Sequence, residues 1–260
     1  MVGGFVYFPF DQRHSLDPDS FCFSFSSSKP VRGHDIYTSR LLFPSIPSSS
    51  SSLKMTLQIR QATLQDLSAL QEIDRSAHQR FTEIPDLEWL AWQVLLPEED
   101  VQEYLDRGRI YIAEEDIAEE DLPPLKRDKE NGKEKAVVLG KEPIGFVAAY
   151  SLDDCMYVSA LFVKLHAQGH GVGTKLLEAV MEWAKDVSGG RVTLQTFVDV
   201  LWNRPWYERR GFRVVDVAVL GGKHVKSWEE AKESWERDAK GWSRCFMLRE
   251  GRDEVNRQLE

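Results

Sequence analysis

The chain has few cysteines, no long apolar run and no excess of positive charge. Its three cysteines, Cys22, Cys155 and Cys245, form an odd and scattered set in 260 residues. They show no CxxC and no pairing with histidine at metal-ligand spacing, so neither a disulfide framework nor a metal site is expected, and they read as reduced thiols. No apolar stretch approaches the length of a membrane span, so no membrane is expected as a partner. Lys and Arg number 33 against 42 Asp and Glu, a net charge of −9. Clustered basic residues for a phosphate backbone are missing, which argues against nucleic acid. An acidic surface instead favours encounter with a cationic partner such as an amine.

What is present divides at Met55. Residues 1 to 54 include FSFSSSKP and PSIPSSSSS, a composition with little to bury, and are expected to form a disordered Ser-rich tail. The opening MVGGFVYFPF lacks a basic n-region, is cut by Pro9 and ends at Asp11, so it is a poor signal peptide. Asp11, Asp17, Asp19 and Asp35 count against organelle targeting, although Arg13, Arg32, Arg40 and the serines resemble a transit peptide. The tail reads as dispensable, or as an extension upstream of the true start, and the expected location is the cytoplasm, with the nucleus left open. From residue 55 to about 250 one domain is expected, with ample length for a core. Residues 251–260 read as a flexible end.

Inside that domain the pattern alternates. A strand over 57–60 precedes a helix capped by Thr63 with Leu67, Leu70 and Ile73 at helical spacing. DLEWLAWQVLL and EEDVQEYLDRG read as two further helices, the second ending at Gly108, and RIYIAEE as a strand. The charged run from about 114 to 141 reads as a solvated loop insert. PIGFVAAYSLDD and CMYVSALFVKL are two strands turning at Asp153 and Asp154. An amphipathic helix over 172–187, a strand in GGRVTLQTF, a short helix in LWNRPWYERRGF, a strand RVVDVAVL, a helix from Ser227 and a closing strand SRCFMLR complete the order. Trp228, Trp235 and Trp242 recur every seven residues and read as a stripe facing the core. Strands and helices mixed around one sheet make an α+β domain.

The chemistry concentrates in HAQGHGVGTKLLEAV, beginning at His166. Glycines between a strand and a helix present bare N–H groups to an anion. A P-loop fails here, because Lys175 follows Thr174 and is itself followed by Leu176. A dinucleotide fingerprint fails for want of its third glycine. What fits is Gln-x-x-Gly-x-Gly, as Gln168, Gly171 and Gly173, and about 35 residues on comes Tyr-x-x-x-Gly-Phe, as Tyr207, Gly211 and Phe212. With both motifs in place, the sequence resembles the GNAT superfamily of acyl-CoA N-acyltransferases.

The resemblance implies a mostly antiparallel mixed sheet flanked by helices, with a V-shaped splay into which acetyl-CoA is wedged as cosubstrate. Backbone groups of Leu161, Phe162 and Val163 would hold the pantetheine arm and polarise the thioester carbonyl. Gln168, Gly169, His170, Gly171, Val172, Gly173 and Thr174 would cradle the pyrophosphate, with His170 near a phosphate. Tyr207 would protonate the leaving thiolate after direct attack by a primary amine, small-molecule or protein.

Two departures stand out. Many members carry a cofactor-contacting Asn seven residues before the tyrosine; that position is Val200, so Asn203 takes its place in the reading, and also suits a helix cap. Relatives that acetylate protein N-termini use a Glu twelve residues before the tyrosine, and here it is Gln195. No base is assigned: Asp153, Asp154, Asp199 and His78 are substitutes, each also readable as a plain turn acid or helix-end histidine. A non-catalytic acyl-CoA-binding regulatory module is the alternative reading. Monomer and homodimer are equally compatible with the sequence, and no metal is expected.

Overall fold

In the computed structural model, residues 57–92, 96–116, 140–239 and 241–251 are described. The expected tail, most of the charged insert and the end beyond 251 lie outside them. Seven strands form one sheet: β1 Gln58–Gln61, β2 Gly108–Asp116, β3 Lys141–Leu152, β4 Cys155–Val163, β5 Val192–Phe197, β6 Arg213–Val215 and β7 Arg244–Arg249. Their order is β1-β2-β3-β4-β5-β7-β6. Every pairing is antiparallel except β4 with β5, as a helical crossover between them requires. The helices are α1 Leu67–His78, α2 Glu98–Arg107, α3 Val172–Ser188, α4 Arg204–Glu208 and α5 Gly222–Asp238. The α+β class and mixed sheet are as the sequence implies. Among the described residues no helix is long and apolar enough to cross a membrane.

Strand alternation assigns the helices to faces. Phe146 and Phe162 face each other across β3 and β4, and His78 of α1 packs on Phe162 with ring centroids 4.8 Å apart. One residue along, a Cβ on Gly145 would stand 3.1 Å from Leu176 of α3 and 3.2 Å from Val163. So α1 and α3 clasp opposite faces, and Gly145 sets how closely α3 approaches. Tyr150, on the α1 face by alternation, stacks on Tyr104 of α2. Thr193 of β5 hydrogen-bonds His224 of α5, which places α5 on that same side. Leu70, Ile73, Phe146, Phe162, Leu176, Leu177 and Val180, all fully or almost fully buried, belong to the main core that fills both interfaces.

Local chemistry explains where the elements depart from expectation. The stretch DLEWLAWQVLL folds over Pro85–Trp92 as a 3-10 helix, because three residues per turn align buried Leu87 and Leu90. RVVDVAVL yields only the three-residue β6. There Asp216 accepts the Ala218 N–H at 2.9 Å and starts a 3-10 turn over Val217–Val219, the local competition that Asp side chains offer to a strand. Helix α5 begins five residues before Ser227, at Gly222. Trp228 and Trp235 do pack together, ring centroids 5.4 Å apart, while Trp242 lies beyond the helix. Strands β2 and β3 run into the edges of the expected insert, through Asp116 and from Lys141. Cys155 and Cys245 are free and buried, and burial pushes each thiol up to about 11.

Candidate active site

The parallel ladder between β4 and β5 is short. Met156 pairs with Val192, Tyr157 with Thr193 and Val158 with Leu194, and there it stops. Just past that point the β3–β4 register shifts, so that Ala148 pairs with Ala160 and Ala149 with Val158. Ser159 is thus the extra residue of a bulge, its hydroxyl donating to the Ala148 carbonyl at 3.1 Å; bulges bend and twist the strand that carries them. Beyond it, Ala160–Val163 stay on the ladder to β3 while β5 follows β7 through Gln195, Thr196 and Phe197. The two strands therefore part, and the open edge of β4 carries Leu161, Phe162 and Val163.

At the mouth of this gap stands the glycine loop. Gly169 and Gly171 have φ of 85° and 88°, a region that L residues with a Cβ enter at a cost of about 1–2 kcal/mol. Gly171 is the N-cap of α3. No backbone or side-chain acceptor among the described residues takes a hydrogen bond from the N–H groups of Gly169, His170, Gly171, Val172 or Gly173. These N–H groups lie on the loop that leads into the positive end of a 17-residue helix. A Cβ on Gly171 would meet nothing within 4 Å. Its absence keeps the approach to the loop open.

Side chains brace both ends of the loop. Gln168 donates to the Val163 carbonyl at 3.0 Å and accepts from Arg80 at 2.7 Å. Thr174 accepts from Arg210 at 2.7 Å, and Arg210 also donates to the Trp206 carbonyl and lies 3.6 Å over the Trp206 ring. Burial lowers the pKa of both arginines, yet each stays a cation at neutral pH, so the loop is flanked by two partly desolvated positive charges. Sequence reading missed both, since they lie 88 and 36 residues from their partners.

Tyr207, on α4, is wholly buried, its ring 4.8 Å from Trp206 and 5.7 Å from Phe212. Burial raises its pKa well above the usual 10, only partly offset by Arg210. The phenol keeps its proton at any physiological pH. Asn203 caps α4 through its carbonyl, which accepts from Trp206 and Tyr207. Its side chain makes no cap, and both amide atoms are buried without a partner among the described residues. Gln195 Nε2, Thr196 Oγ1 and Trp202 Nε1 share that condition. Each such atom costs about 1–3 kcal/mol, and they sit on the open end of β5 and the segment after it.

The remaining candidates separate. Asp153 is bound to His224, and Asp154 and Asp199 are exposed. His78 is buried. Trp89 and Trp202 share a cluster with Phe81 and Phe197, Trp206 joins the main core and Trp92 is 68% exposed.

Over residues 81–212 the chain matches the family model of the acetyltransferase (GNAT) family. That span is half of the chain, and the protein belongs to that family. Among solved structures it is similar to the PaiA N-acetyltransferase of Thermoplasma acidophilum in complex with coenzyme A, at 16% identity, covering 75% of this chain and 99% of that one with a TM-score of 0.50. It is also similar to the ribosomal-protein-S18-alanine N-acetyltransferase of Escherichia coli, at 14% identity, 74% and 92% coverage and a TM-score of 0.44. At these identities the likeness concerns the fold.

Proposed function

We propose that this protein transfers an acetyl group from acetyl-CoA to a primary amine. The observation that carries the reading is the parting of β4 and β5 beyond Val158 and Leu194, with unbonded loop amides at its mouth. Acetyl-CoA supplies an activated acyl group and a diphosphate. The loop from Gln168 to Thr174 takes the diphosphate, with Arg80 and Arg210 adding charge at either end. The open edge of Leu161, Phe162 and Val163 offers backbone donors and acceptors to the pantetheine arm, as an exposed strand edge does to any extended ligand. Asn203, with both amide atoms unbonded, supplies a further polar contact.

Tyr207 is the general acid. Its raised pKa keeps the hydroxyl protonated, so it can give a proton to a departing thiolate and cannot serve as the base. The acceptor is an amine, small-molecule or protein. The acidic surface, net −9 over the whole chain, favours a cationic one, and the cytoplasm is the location that suits such a cosubstrate.

Thermal unfolding of the full chain with acetyl-CoA, CoA, ATP and NAD tests the reading, since a ligand of the native state raises the midpoint with its affinity. The expected result is a shift with acetyl-CoA and CoA only, followed by amine-dependent thiol release. Indifference to both CoA species would sink it. Binding without thiol release from any amine would leave a regulatory acyl-CoA-binding module.

A further inference from the structure

His78 ends α1 at 1% exposure. Its Nδ1 lies 2.9 Å from the Asp74 carbonyl and 3.0 Å from the Asp74 carboxylate. A carbonyl oxygen can only accept, so Nδ1 carries the proton in the neutral ring. Nε2 then bears the lone pair, and it is buried with no partner among the described residues. Left bare, that atom costs about 1–3 kcal/mol, and a group that meets it from outside the protein would recover it.

Its surroundings locate that lone pair. The ring packs on Phe162, on the open edge of β4, and on Phe81 at 5.9 Å. Phe81 in turn meets Phe197, on the open end of β5, at 6.3 Å and Trp202 at 6.0 Å. His78 therefore lies on the α1 face beside Phe162 of the open β4 edge, one ring, Phe81, away from the open end of β5. The segment bearing Tyr207 is tied to the first turn of α3, on the opposite face, through Arg210 and Thr174.

Resting on the transferase reading above, we propose that His78, aimed by Asp74, is the base that takes a proton from the acceptor amine. The ammonium gives one proton to Nε2, and the freed nitrogen lone pair forms the C–N bond at the thioester carbonyl carbon. The C–S bond breaks with its electron pair on sulfur, which takes the Tyr207 hydroxyl proton. The second amine proton restores Tyr207, and His78 passes its own to water. The Asp74 carbonyl orients the ring, and the Asp74 carboxylate, 3.0 Å from Nδ1, stabilises the imidazolium by its charge.

Of the elements packed on α1, β4 and the turn after α1 present Phe162 and Phe81 to the ring. The charges nearby are otherwise engaged or turned outward. Lys164, after β4, is paired with Glu72 and with Glu142 of β3. Arg80 is bound to Gln168, and Glu83, Asp86 and Glu88 are exposed. Asp74 is the titratable partner in contact with the ring.

The test is His78→Gln in the full chain, assayed by thiol release from acetyl-CoA with 2-phenylethylamine, spermidine and an alanine-initiated tetrapeptide as probe amines. The variant should keep the wild-type thermal shift with acetyl-CoA and lose about 10²–10³-fold in kcat/KM. Asp74→Asn should lower kcat/KM about tenfold with the acetyl-CoA KM unchanged, and it decides the matter if His78→Gln does not fold. Nitrogen-15 spectra of the free wild type should show Nε2 as the bare nitrogen. Wild-type activity matched within threefold by the variants, or a bare Nδ1 with protonated Nε2, overturns the base alone. A wild type with no acetyl-CoA shift, or with no turnover of any probe, overturns the transferase reading and the base with it.

Discussion

Two buried histidines, each held by an aspartate, sit at opposite ends of the β4–β5 pair. At the closed end, where Tyr157 still pairs with Thr193, His224 uses both nitrogens: Nδ1 with Asp153 at 2.8 Å and Nε2 with Thr193 at 2.9 Å. At the open end His78 uses only Nδ1. The residue types and burial are alike. What differs is whether the last lone pair is satisfied within the protein, and that separates a fixture of the fold from a group available to a substrate. Stability should therefore depend on the closed end and turnover on the open one.

The largest effect expected from breaking this contrast is at the open end. Tyr207→Phe should lower kcat by about 10²–10³-fold while acetyl-CoA affinity, read by calorimetry, stays within a few-fold. At the closed end Thr193→Val should do the reverse. It strands His224 Nε2 at a cost of about 1–3 kcal/mol in denaturant unfolding, with kcat unchanged under native conditions. Gly171→Val lies between the two. Strain at φ 88° should cost about 1–2 kcal/mol of stability, and its Cβ, meeting no protein atom, should weaken acetyl-CoA binding by about tenfold or more.

The smallest effect is a slope with pH. Burial lowers the pKa of His224 despite its bond to Asp153, so the native state holds the ring neutral. The unfolded chain binds that proton from about pH 6.5 downward. Stability from this group is complete above that pH and falls as the pH drops toward the native value. Burial raises Asp153, but hydrogen bonds from the His224 ring and backbone and from the Lys223 backbone outweigh it, and its pKa is lowered. A further loss therefore follows below about pH 4. Denaturant midpoints between pH 5 and 8 should show the first slope, and His224→Gln should flatten it. A wild-type curve already flat there would mean that the two ends are not distinguished by proton binding.

The open end was largely legible in the sequence, because Gln168, Gly171, Gly173 and Tyr207 are local spacings between a strand and a helix. Its gap was legible only through likeness to a family, since nothing in ALFV announces that a ladder stops. The closed end was not legible. Asp153 reads as a turn acid, and it does occupy the turn, with φ 49°; its partner His224 is 71 residues away in a helix expected to begin later. Arg80 and Arg210 were hidden in the same way. Short 3-10 segments escaped because apolar spacing over eight residues does not distinguish three from 3.6 residues per turn.

Asp153 also accepts the backbone N–H groups of Lys223 and His224, at 3.4 and 3.1 Å. Gly221 allows this approach, for a Cβ there would lie 2.6 Å from the carboxylate. The N-terminus of α5 is thus finished by a hairpin turn made some seventy residues earlier. The first N–H groups of a helix have no partner within it, so the start of α5 is capped only where the β3–β4 turn holds Asp153 in place.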